Sequence, residues 1–206
     1  MAGEIERIEV KIQPVTLEGR VVVLRPMEES DIDGLTSVAL DPDLWRYTTT
    51  ILRSRDDVAE YVKSALNGFR SGTVLPFVTT VKDGRKIIGS TRFAKIDTEH
   101  RRAEIGWTWI GRPWQRSAVN TEAKYLMLRH AFETWKCMRV ELKTGTLNQR
   151  SRNAILRIGA KEEGILRKHM ILHDGRIRDT VYFSILDNEW PAVKTRLESM
   201  IERRME

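Results

Sequence analysis

One passage limits the fold more than any other. Ala103–Ile110 alternates at the period of a strand, with Ala103, Ile105, Trp107 and Trp109 on one face and Glu104, Gly106 and Thr108 on the other. Gly111-Arg112-Pro113 stops it. A helix of about Thr121–Trp135 follows, apolar on more than one side through Ala123, Leu126, Met127, Leu128, Ala131 and Phe132. Arg139–Thr144 then alternates again, with Val140 and Leu142 facing in. A helix apolar on several sides packs centrally, so these pieces predict a β–α–β passage inside a sheet. In a mixed sheet such a passage is where a ligand is held.

The rest of the chain surrounds that passage with hairpins. Val21–Leu24 is a short β-branched strand closed by Arg25-Pro26. Ser30 or Asp31 caps a helix to about Leu40, which Asp41-Pro42 breaks. Asp56-Asp57 opens a second helix with Val58, Tyr61, Val62, Ala65, Leu66 and Phe69 at helical spacing. Pro76–Val81 and Ile87–Ile96 flank the turn signal Asp83-Gly84, and Glu163–Leu172 and Ile177–Leu186 flank Asp174-Gly175. A helix of about Ser151–Ile158 ends at Gly159, and a last helix runs from about Trp190 through Met205. The order β α α β β β α β α β β α predicts a mixed-sheet α/β (α+β) domain. The chain reads as one domain over 1–206, with an arm over 1–16 (Ile8, Val10 and Ile12 weakly alternating) and a C-terminal helix over 190–206.

Composition narrows the function classes. The 206 residues carry 35 Lys plus Arg against 29 Asp plus Glu, a net charge of +6. That balance suits an anionic partner but is too small to argue for nucleic acid. One cysteine, Cys137, excludes an internal disulfide and fits a reducing cytoplasm. The four histidines have no metal-ligand spacing, and no apolar run approaches the ~18 residues of a membrane span.

The turn Arg112-Pro113-Trp114-Gln115-Arg116-Ser117-Ala118-Val119-Asn120 precedes the central helix. A helix N-terminus presents free N–H groups and suits phosphate oxygens, and Arg112, Arg116 and Lys124 add charge. The same turn also reads as an ordinary strand–helix connection. Asp41–Arg55 holds Trp45 and Tyr47 with no period, which reads as a substrate loop.

These residues resemble a family. The strand order, turn and helix are similar to the GCN5-related N-acetyltransferases (GNAT), whose pyrophosphate loop is Gln/Arg-x-x-Gly-x-Gly/Ala. Here the loop is Gln115-x-x-Ala118-x-Asn120, matching at the first position only. The flanks carry more: Leu17-Glu18-Gly19-Arg20 followed by Leu24-Arg25-Pro26; Trp114 followed by Asn120-Thr121-Glu122-Ala123-Lys124; Leu128-Arg129-His130-Ala131-Phe132. So do Asn148-x-x-Ser151-x-x-x-Ile155-x-x-x-Gly159-Ala160, Asp174-Gly175-x-x-Arg178-Asp179 and Glu189-Trp190-Pro191. From about residue 16 to 192 the chain resembles the ribosomal-protein-alanine N-acetyltransferase subgroup.

The resemblance implies a mostly antiparallel sheet of about seven strands and acetyl-CoA as co-substrate without metal. It implies transfer of acetyl to a primary amine, preferably a protein N-terminal α-amine. A small-molecule amine, or a non-catalytic CoA- or RNA-binding role, is the alternative. No membrane partner is implied, and the chain would act as a monomer or homodimer. Carried over residue by residue, Gln115, Arg116, Ser117, Ala118, Val119 and Asn120 bind the pyrophosphate. Trp107, Thr108 and Trp109 line the pantetheine, and Asn148 bonds its arm. Asn at the last loop position tolerates left-handed φ, and Ala118 fits if its φ is negative. Glu104 is the base or, alternatively, a solvated outward residue. Ser151 protonates the thiolate or is simply the third residue of a helix capped by Asn148, because the family's tyrosine position is Ile155. Trp45 and Tyr47 would wall the acceptor. Asp97, Glu99, His100 and His169 rank below Glu104 as bases.

Overall fold

The computed structural model describes residues 12–83 and 86–203. Of the expected arm, residues 1–11 lie outside the described residues. So do Gly84 and Arg85 of the first Asp-Gly turn and 204–206 of the last helix.

The strands are β1 (Leu17–Glu18), β2 (Val22–Pro26), β3 (Val74–Val81), β4 (Ile87–Asp97), β5 (Arg102–Ile110), β6 (Arg139–Gly145), β7 (Lys161–Ile171) and β8 (Ile177–Leu186). The helices are α1 (Ile32–Ala39), α2 (Arg55–Arg70), α3 (Val119–Arg129), α4 (Gln149–Arg157) and α5 (Trp190–Glu202). Among the described residues the strands form one sheet in the order β1-β2-β3-β4-β5-β6-β8-β7. Every neighbouring pair is antiparallel except β5 and β6, which α3 joins in parallel. About seven strands were expected. The eighth is β1, whose two residues are too few to show a period.

Two cores cover the two faces. On one, Val119, Ala123, Leu126 and Met127 of α3 and Val193 and Leu197 of α5 pack against Phe77, Ile88, Ile105 and Phe183. On the other, Leu35 and Ala39 of α1 and Val58, Tyr61, Val62 and Ala65 of α2 pack against Val78 and Trp109. Helix α2 starts where the sequence stops it from starting earlier: Ser54 Oγ accepts from Asp57 N (3.1 Å), and Asp57 Oδ2 accepts from Ser54 N (3.0 Å). Helix α3 passes at its C-terminal end into a π-helical turn, His130–Thr134, which completes the long helix expected to Trp135.

The alternation of β5 does not hold to its end. Gly106 pairs with Arg92 and Trp109 with Ser90, so Trp107 and Thr108 together oppose Thr91. This is a β-bulge, and Trp107 sits at φ +49°. One extra residue moves every later side chain to the other face. Ala103 and Ile105 therefore join the α3 core, Trp109 joins the α1–α2 core, and Trp107 is 43% exposed. The expectation that all four share a face is corrected.

Helix α3 is also tied to the start of β2. Glu122 is buried, and its carboxylate accepts N–H bonds from Arg20 (2.7 Å), Val21 (2.8 Å) and Val22 (2.9 Å). Two stretches that carried the resemblance, Leu17–Arg20 and Asn120–Lys124, are thus halves of one junction.

Candidate active site

Strands β5 and β6 share three rungs: Arg102 with Arg139, Ala103 with Val140, Glu104 with Glu141. Beyond Glu104 they part. Strand β5 stays with β4 to Ile110, and β6 stays with β8 to Gly145. The bulge lies in this opened stretch, so Trp107 and Thr108 have a rung in neither ladder. The gap where β5 and β6 stop pairing has the form that can take an extended ligand as an added strand.

The loop at the end of β5 brings the chain to the head of α3. Gln115 holds it from both sides: Nε2 donates to Ile110 O at 2.7 Å, and Oε1 accepts from Arg150 Nη2 of α4. The left-handed residue is Arg116 (φ +63°), not Asn120, which is the second residue of α3. Ala118 has φ −68°, so its methyl group is unstrained. Ser117 Oγ donates to Trp114 O at 2.6 Å and accepts from Val119 N at 3.3 Å. The first α-helical bond of α3 runs from Glu122 N to Ala118 O, so the N–H groups ahead of it open the helix toward the cleft.

Lys124 does not face this loop. It is buried against β5, with Nζ donating to Thr108 Oγ1 at 2.5 Å, and burial pushes its pKa down to about 7. Thr108 Oγ1 also lies 2.8 Å from Thr91 Oγ1, which pins the bulge from the α3 side.

Glu104 projects on the opposite face and is 2% exposed, so the outward, solvated alternative does not hold. Lys143 Nζ stands 2.9 Å and Lys95 Nζ 3.5 Å from Glu104 Oε2. The contacts are ionic, since no hydrogen bond among the described residues is aligned on that oxygen. Burial and the neighbouring Lys95 lower the Lys143 pKa, and Glu104 opposes them. Trp107 lies between Lys143 (5.9 Å to the ring centroid) and Arg92 (5.7 Å).

Asn148 Oδ1 accepts from Ser151 N at 3.1 Å, so Asn148 caps α4 and Ser151 is its third residue. The Ser151 hydroxyl makes no hydrogen bond among the described residues. Ile155 is buried in the core. Tyr47 reaches the far side of the cleft, where it lines a cavity of about 210 Å³ with Gly145, Leu147, Leu172 and Arg178. Trp45 does not wall that cavity: it is buried, its indole N–H donates to Ala39 O at 2.7 Å, and its ring packs on Tyr61 and Trp109. Its carbonyl holds the loop instead, 3.2 Å from His173 Nε2 of the β7–β8 turn. Asp97, Glu99 and His100 belong to the β4–β5 turn, where Asp97 bonds His100 N and Arg102. His169 packs edge-on against Tyr182 on exposed β7.

Sequence reasoning missed Lys95, Lys143, Arg92 and Arg178 as residues of this cleft. Lys143 carried a partial signal, as an outward residue in an alternating strand beside the passage. Its meeting with Glu104 depends on a parallel register that no local pattern encodes.

Comparison with known proteins agrees with this geometry. A family model described as acetyltransferase (GNAT) domain matches residues 22–161. The uncharacterized N-acetyltransferase p20 of Bacillus licheniformis is 29% identical over 180 residues, 85% of this chain and 98% of that one. The [ribosomal protein uS5]-alanine N-acetyltransferase of Escherichia coli is 25% identical over 122 residues, 59% of this chain and 62% of that one. A GCN5-related N-acetyltransferase from Brucella melitensis superposes with a TM-score of 0.84 at 30% identity, covering 92% of this chain and 86% of its own. The chain is an N-acetyltransferase and belongs to the GNAT family.

Proposed function

We propose that the protein moves an acetyl group from acetyl-CoA to a primary amine by direct attack, and that the preferred acceptor is a protein N-terminal α-amine. The observation that carries this reading is the opening of β5 from β6 at a bulge, directly ahead of the helix α3 N-terminus. A pyrophosphate suits the N–H groups of residues 116–120, and a pantetheine arm suits the unladdered backbone of Trp107 and Thr108. A backbone N–H there meets the thioester carbonyl and stabilises its developing oxyanion. Gln115 acts by holding the loop, and Asn148 by capping α4 at the cleft.

The amine nitrogen attacks the carbonyl carbon, the C–S bond breaks, and the amine proton is lost as the thiolate gains one. Glu104, directly or through water, takes the amine proton. The Ser151 hydroxyl donates to the leaving sulfur. Lys95 and Lys143 bring positive charge to where the amine arrives, and nearby cations favour its neutral, nucleophilic form. An α-amine, with a pKa of about 7.7–8.0, needs less such help than a lysine near 10.4. The site therefore suits the α-amine better. A cytoplasmic protein acceptor fits the names of the ribosomal relatives.

The test compares peptides with free and blocked N-termini, each with an internal lysine, followed by CoA release and mass spectrometry. Acetylation confined to the free α-amine is expected. Equal acetylation of both, or turnover of small amines alone, would move the acceptor elsewhere. Ser151→Ala is expected to lower kcat by about 10²-fold with acetyl-CoA affinity nearly unchanged. Equal loss in both would return Ser151 to capping alone.

A further inference from the structure

Beside the reacting point, the cleft is rich in positive charge. Glu104 is faced by Lys95, Lys143 and the guanidinium of Arg178, which arrives from β8. Arg178 leans across the opened part of β6. Its Cδ stands 3.3 Å from where a Cβ on Gly145 would be, so the absence of a side chain at 145 makes its room. Its Nε donates to Thr180 Oγ1 at 3.1 Å, and among the described residues it has no ion pair. Burial depresses its pKa, the mark of a cation held partly out of water. The other charges lining the cavity are engaged. Arg176 bonds Asp174 at 2.7 Å and Arg46 O at 2.6 Å, and Asp179 Oδ1 accepts from Lys168 N at 2.6 Å. On the same sheet face Arg92 is 5% exposed and bonds Tyr61 O, and among the described residues its Nε has no partner.

A half-buried guanidinium whose hydrogen bond goes to a neutral hydroxyl, and whose nearest carboxylate, Glu104, is shared with Lys95 and Lys143, is costly unless something anionic completes it. Tyr47, Leu147 and Leu172 give the cavity apolar walls beside Arg178, with Arg176 held by Asp174 and Asp179 bonded to the Lys168 N–H, which leaves Arg178 as the cation placed to read one charged group on a ligand. We propose that Arg178 is the counter-ion for a carboxylate on the acceptor, so that the preferred substrate is an amine with an acidic group close to it. This rests on the acetyltransferase reading. The carboxylate comes from an acidic side chain following a peptide N-terminus or from the α-carboxylate of a free amino acid, and the chemistry recognised is the same.

The experiment measures acetyl-CoA turnover with C-terminally amidated peptides beginning Ala-Glu-Glu, Ala-Gln-Gln and Ala-Lys-Lys, and with alanine and alaninamide. A kcat/KM for the Glu peptide at least about tenfold above the Gln peptide is expected at low salt, shrinking as salt rises. Arg178→Gln should erase that difference, and Arg178→Lys should keep part of it. Preference for alanine over alaninamide, with no difference among the peptides, assigns the carboxylate to a free amino acid. Equal kcat/KM across both series overturns the proposal and leaves the acetyltransferase reading intact, with no variant involved. An Arg178→Gln protein that keeps the full preference overturns the role of Arg178. No turnover of any amine would remove the acetyltransferase reading and this proposal together.

Discussion

Lys124→Met is expected to stabilise the protein by about 3–4 kcal/mol at pH 6 and to destabilise it slightly, by under about 1 kcal/mol, at pH 10.5. Burial holds the Lys124 pKa at about 7, against about 10.4 in an unfolded chain. Between those values the unfolded state binds the extra proton, so wild-type stability rises with pH by about 1.4 kcal/mol per pH unit. Below pH 7 both states are protonated, and the folded state carries the whole penalty of a buried ammonium that donates a hydrogen bond to Thr108. Met has similar length and no charge, so its variant lacks this slope. It loses about 1 kcal/mol with the hydrogen bond, which sets the net gain. Urea denaturation at pH 6, 8 and 10.5 checks it. Parallel wild-type and variant curves across pH would show that the ammonium is not desolvated as described. Since Lys124 points under β5 and away from residues 112–118, the salt dependence of acetyl-CoA binding should be the same in both proteins.

Glu122→Gln should destabilise by about 3 kcal/mol although it changes one atom of shape. The Glu122 carboxylate presents only acceptors to three backbone N–H groups. The Gln amide replaces one oxygen with an NH2 group, which opposes those donors instead of accepting from them. Charge-assisted bonds of this kind contribute about 1.5–3 kcal/mol each, and the partly exposed Arg20 end can rehydrate. Gly19→Ala tests the junction from the other side. A Cβ there would lie 2.4 Å from Glu122 Cδ, so the carboxylate must leave its three donors, at a loss of similar size. Denaturant midpoints of the two variants and the double variant would settle it. Losses that simply add would show two independent contacts, whereas a shared junction gives a double variant little worse than either single.

Much of this architecture is legible locally. The start of α2 close to Asp56-Asp57, the end of α4 at Gly159 and the hairpin turn at Asp174-Gly175 follow from backbone preferences spanning a few residues. The loop after β5 and the head of α3 were also legible, because Pro113 and the apolar periodicity mark them. The partners of individual side chains were not. Lys124 looked like a phosphate ligand by its place in the second turn, but its direction is set by how α3 rotates onto β5. Trp45 looked like an exposed wall, but the α1–α2 core takes its ring. Arg178 carried part of the resemblance, and nothing in its neighbourhood told that Gly145 makes its room.

The sequence by itself determined the elements, their order, and the passage from strand through loop to central helix, since periodicity and turn chemistry are local properties of the chain. The tertiary structure alone decided the faces and the charges. A bulge at Trp107 and Thr108 depends on pairing with β4, and it sends Trp109 to the opposite side from Ala103 and Ile105. The meeting of Glu104 with Lys95 and Lys143 depends on registers between strands far apart in sequence. Those registers are fixed by burial summed over both cores, a quantity no short stretch of residues contains.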